Sequence, residues 1–171
     1  MPVEGDGGMS TQQHEWQFER ADGIPVVFTP AGGWTGEMPP PILAGCAEPL
    51  VDGAPDMRGI WRIVEIQVDG RGDQSHRVLA SLQRIEQCGD RVVITAGGII
   101  HDMRADGTEA NGVQDVAEFE DSTPISVVAT FENGVHVLRP RGMPFEVRRR
   151  IEGDHLVWDS FGFTAHLERI D

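Results

Sequence analysis

From Gly59 onward, apolar and polar side chains alternate with a period of two. Such alternation sends successive side chains to opposite faces of a strand. It runs through GIWRIVEIQV (59–68), VLASLQRIEQ (78–87), RVVIT (91–95) and IIHDMRA (99–105), and weakens over 113–119. It resumes in ISVVATF (125–131), VHVLRP (135–140), FEVRRRI (145–151) and HLVWDSFGFTAHLERI (155–170). Between these segments lie Asp69-Gly70, Cys88-Gly89-Asp90, Asp106-Gly107, Asn133-Gly134 and Gly153-Asp154. Each places Gly, Asn or Asp where a tight antiparallel turn needs positive φ. No window of ten or more residues carries a helical stripe. The pattern predicts an all-β fold: eight or nine strands in an antiparallel up-and-down barrel, in which closure removes exposed edges. A two-sheet sandwich is the alternative.

Before Gly59 the pattern breaks down. Eight of the eleven prolines fall there, including Pro39-Pro40-Pro41, and proline at that density excludes long helices. Residues 1–57 also hold nine acids against one Arg, whereas 58–171 hold nineteen acids against thirteen Arg. The chain therefore divides into an irregular acidic arm, 1–57, and a barrel, 58–171. Within the arm, Trp16, Phe18, Ile24, Val26 and Phe28 alternate around Ala21-Asp22-Gly23, as a short hairpin would. Trp16, Phe18 and Trp34 are costly to leave wet. The arm is read as a lid over the barrel mouth, with Glu15 and Glu19 beside those anchors, or as a wrap outside the barrel or a homodimer contact.

Charge narrows the function classes. Twenty-eight acids face fourteen basic residues, all Arg, for a net charge of −14. Neither nucleic acid nor an anionic membrane suits that balance, since both need clustered positive charge. No apolar run reaches the ~18 residues of a membrane span, and the first twenty residues do not resemble a signal peptide. A cytoplasmic location is expected, with Cys46 and Cys88 as free thiols. The six His show no metal-ligand spacing, so no metal site is expected.

Gly59-Ile60-Trp61 at the start of the first barrel strand, with Arg169 near the end of the last, resembles the lipocalin or calycin pattern. That resemblance implies a barrel with Trp61 plugging its closed end beneath the Arg169 guanidinium, in a cation–π contact. Barrels of this size hold one small ligand, so inward-facing side chains matter most. Phe145, Val147, Arg149 and Ile151 share the apolar face of their segment, and His101 shares a face with Met103. His136 pairs in parity with Leu138, but Val135 and Val137 make the opposite face look equally internal. An inward Arg149 with a His suits a carboxylate or enolate on an otherwise apolar molecule, with Trp16 of the arm as a further contact.

Phe163-Thr164-Ala165-His166-Leu167-Glu168-Arg169 resembles the His-bearing last strand of the haem-binding nitrobindins. The glycine-rich, Tyr-containing first strand of that group is absent, and His166 alternates with Glu168 rather than with the apolar positions. No cofactor is therefore expected. In size, inferred barrel and N-terminal arm the chain is similar to the lidded calycin-type cyclases of bacterial polyketide pathways, of the spirotetronate-forming kind. That likeness implies a cofactor-independent cyclase or isomerase acting by confinement and one or two hydrogen-bond donors. Carrier and catalyst both stay open at this point.

Overall fold

A computed structural model describes residues 38–96, 98–117 and 120–170. Eleven strands follow one another: β1 (Gly59–Val68), β2 (Arg71–Gly72), β3 (Leu82–Cys88), β4 (Arg91–Ala96), β5 (Ile99–Arg104), β6 (Val113–Ala117), β7 (Glu120–Glu132), β8 (Val135–Pro140), β9 (Val147–Glu152), β10 (His155–Ser160) and β11 (Phe163–Arg169). Ten form one antiparallel sheet in the order β5-β4-β3-β1-β11-β10-β9-β8-β7-β6, and the short β2 pairs with β1. The sheet curls until β5 approaches β6 and β7. There Arg104 N donates to Asn111 O (2.7 Å) and Gly107 N to Ala129 O (2.9 Å). Gly112 permits this closure, because a Cβ at that position would lie 1.9 Å from the Val127 carbonyl oxygen. The barrel is nearly closed and all-β, as the alternation predicts.

Three segment boundaries differ from the sequence reading. Residues 155–170 are a hairpin rather than one strand, turning at Gly162 with φ +88°. The segment 78–87 becomes strand only from Leu82, and β9 begins at Val147, so Phe145 precedes it. Turns flanked by Phe161 and Phe163, or by Val78 and Leu79, keep an apolar rhythm that imitates strand.

A bulge in β1 fixes which side chains enter the barrel. Ile63 pairs with Leu167 and Glu65 with His166, so Val64 is an extra residue. The bulge turns both Ile63 and Ile66 inward, where both are buried. Inside they join Trp61, Ile85, Val92, Ile94, Met103, Ala129, Leu138, Leu156, Trp158 and Leu167 in the main core.

Residues 38–57 lie on the barrel in two ways. Ile42 and Leu43 donate their backbone N–H groups to the Glu86 carboxylate (3.1 and 2.8 Å). Leu43 packs with Val93, Ile100 and Cys88 on the outer face of β3–β5. The same outer face buries an Arg91–Asp102 ion pair. Cys46 is bonded to Cys88 in a disulfide, with Cα atoms 5.9 Å apart. This corrects the expectation of two free thiols. Forty-two residues of separation hid the pairing, since only the course of the arm along β3 brings the sulfurs together. Farther on, Val51 N donates to Gly89 O and Gly134 N to Gly53 O, which carries the chain beneath one end of the barrel. The hairpin expected around Ala21-Asp22-Gly23, and the arm residues Glu15, Trp16, Phe18, Glu19 and Trp34, fall outside the described residues.

Candidate functional site in the barrel interior

One end of the barrel is sealed. Trp61, only 1% exposed, donates from Nε1 to the Met57 carbonyl (2.8 Å). Gln87 ties the same segment down, accepting from Met57 N (2.6 Å) and donating to Pro55 O (3.0 Å). Arg169 closes over the indole with its Cζ 4.7 Å from the ring centroid. Gly59 opens this strand at φ +141°, a conformation that side-chain-bearing residues avoid.

Above this floor, a row of side chains crosses the wall at one level. Register aligns Phe131 with His136, His136 with Arg149, Arg149 with Trp158, and Trp158 with Ala165. Phe131, Ala165 and Trp158 belong to the interior core or pack against it, so the whole row faces inward. His136 and Arg149 are fully buried. The register also resolves the parity of β8: His136 and Leu138 point in, while Val137 is buried on the outer side.

Arg149 is the centre of this row. Its Cζ lies 4.7 Å from the Trp158 ring centroid, and its Nη2 reaches the Gln83 Oε1 of β3 at 3.4 Å. Gln83 stands beside Trp61 in the β1–β3 register, so the guanidinium spans the interior from β9 to β3. Three neighbours keep polar atoms without a hydrogen-bond partner among the described residues: Gln83 Nε2, Trp158 Nε1, and both ring nitrogens of His136. Burial, reinforced by the Arg149 charge, pushes the His136 pKa down to about 3, so the imidazole is neutral. Donors of this kind in an apolar wall match an oxygen of a bound molecule.

The other expected site residues are distributed more widely. His101 and Met103 face inward from β5, opposite Ile94 and Val92 of β4, and both are buried. Val147 is half-buried against the core. Phe145 stands at the far end from Trp61, stacked 4.5 Å from the ring of Phe161. Phe161 itself is 71% exposed. Trp16 lies outside the described residues. Gln83 and Trp158 were missed by the sequence reading. Parity was the available signal: Gln83 alternates with Ile85, and Trp158 with Leu156.

His166 lies on the outer wall. It lines a surface groove of about 320 Å³ with Val64, Glu65, Glu152, His155 and Glu168. A haem held inside the barrel is out of its reach, so the residues present do not fit that role. Among the described residues no group of three or more His, Cys, Asp or Glu is arranged to hold a metal ion. No helix among them is long and apolar enough to cross a membrane.

No family model matches the chain, and no curated protein matches it. Among solved structures it is similar to human cRBP IV, a cellular retinol-binding protein, with a TM-score of 0.53 at 19% identity. The match covers 67% of this chain and 98% of the other. At that identity the likeness speaks for the fold. The chain folds as a lipocalin-like antiparallel β-barrel.

Proposed function

We propose that the barrel encloses a largely apolar small molecule whose oxygen-bearing head, anionic or carbonyl, is held by Arg149. One observation carries this reading: around the buried Arg149, the inward-facing His136, Trp158 and Gln83 keep polar atoms without a partner among the described residues, in an apolar interior. A cation kept from water is strongly attracted to a bound oxyanion, and the surrounding aliphatic wall suits a hydrocarbon body. His101, Met103, Val147 and Phe145 serve as further wall contacts, and Trp16 would approach from the arm.

The catalytic form of this reading is a cyclase or isomerase acting on a flexible hydrophobic, polyketide-like substrate. The unpartnered N–H groups of Trp158 and Gln83 favour it, because preorganised donors in a dry site polarise a carbonyl without reorganising. A carrier needs only affinity; a catalyst needs those donors at the reacting oxygen.

The cytoplasmic location expected from the sequence meets one opposing feature, the Cys46–Cys88 disulfide, since structural disulfides persist mainly in oxidising compartments. Native mass spectrometry of protein purified from its source, without reductant, tests the proposal. It should show a co-purifying hydrophobic molecule of defined mass. The same spectra report thiol state and whether the chain is a monomer or the expected homodimer. A ligand-free protein that also fails to take up fatty-acid-like probes would contradict the reading.

A further inference from the structure

We propose that the ligand held at Arg149 carries a hydroxyl or enolic O–H beside its acceptor oxygen, and that His136 is the residue that reads it. This rests on the binding reading above and deepens it by naming a substrate class: apolar molecules with a donor and an acceptor on adjacent or next-adjacent carbons.

The hydrogen-bonding capacity of the row decides which ligand heads it accepts. Arg149 and the Trp158 indole N–H are donors only. The free atom of Gln83 is its amide nitrogen, also a donor, because its oxygen already faces Arg149. Such a set calls for acceptors on the ligand and gives no means of recognising a donor. His136 differs. It is fully buried, packs against Phe131 at 5.5 Å between ring centroids, and has a partner at neither ring nitrogen among the described residues. Next to the Arg149 cation in a dry wall the ring stays neutral, with one N–H and one lone pair.

A ligand offering only acceptors leaves that lone pair orphaned in either tautomer. An O–H group supplies the missing proton. Cross-strand neighbours have Cβ atoms about 5 Å apart, so one small head can engage both residues. The oxygen at Arg149 and the hydroxyl at His136 then sit on adjacent or next-adjacent carbons.

Three probes on the full chain test this: β-hydroxypalmitate, β-methoxypalmitate, which keeps the oxygen but loses the donor, and palmitate. The wild type is expected to bind β-hydroxypalmitate about five- to a hundredfold more tightly than both others, the range set by one unmet buried acceptor. His136→Phe should abolish the preference while still binding palmitate. His136→Gln, which keeps a donor and an acceptor, should retain part of it. In addition, ¹⁵N NMR should show the unprotonated His136 nitrogen shifting with the hydroxy probe and not with the methoxy one. Equal wild-type affinity for the hydroxy and methoxy probes overturns the inference while leaving the binding reading intact. So does a hydroxyl preference that survives His136→Phe. Failure of all three to bind the wild type overturns the binding reading itself.

Discussion

Arg169 lays its guanidinium over the Trp61 indole, 4.7 Å from Cζ to ring centroid, and joins the last strand of the barrel to the first at the closed end. The contact is one-sided: the indole is buried, whereas Arg169 is exposed. Truncating the ring therefore removes core, and truncating the Arg removes only a surface cation. Trp61→Ala is expected to cost about 3–5 kcal/mol. Arg169→Ala should cost about 0.5–1 kcal/mol, as an exposed cation–π contact does. Urea unfolding of the two variants checks this. Equal losses would deny Trp61 its place as the floor.

The Cys46–Cys88 bridge ties the arm to β3 across forty-two residues. Reduction, or Cys46→Ser with Cys88→Ser, should lower stability by about 2–4 kcal/mol. Unreduced native protein should show no thiol reactive to a chromogenic disulfide reagent. Two thiols titrating without reductant would contradict the bridge.

Alternation made the barrel legible because most strands bury one face and wet the other, as β9 does with Arg148 exposed and Arg149 buried. Where both faces are buried the signal fails. On β8, Val137 is covered from outside while His136 is covered from within, and parity alone cannot choose between them. Register with β9 chooses. The Trp61–Arg169 contact was readable from a short motif, because it depends only on first and last strands meeting. The disulfide and the Arg149–Gln83 reach were not, since each depends on how distant segments are laid together. Trp158 hid in a segment that looked like one strand because apolar residues flank its turn.

Acid should expose His136. Its pKa in the folded chain is about 3, well below the ordinary histidine value of 6.5. Between those values the unfolded chain takes up a proton that the folded chain refuses. The stability contributed by the neutral ring is complete above about pH 6.5 and falls as pH drops, by up to about 1.4 kcal/mol per unit. Between pH 6.5 and 5, where exposed carboxylates contribute little, the urea midpoint of the wild type should decline with a slope that grows from about half a proton towards one. In His136→Phe it should stay flat. Parallel declines would mean that the imidazole is already solvated.

The central claim is that Arg149 holds the head of an apolar ligand inside the barrel. Its most direct measurement is fluorescence titration of wild type and Arg149→Met with cis-parinaric acid and with its methyl ester. The substitution keeps the side-chain bulk and removes the charge and its donors. Binding of the acid should weaken by about 2–4 kcal/mol, the range for losing a desolvated charged partner, while the uncharged ester should weaken much less. Equal loss for acid and ester, or no binding of either to the wild type, would contradict the account.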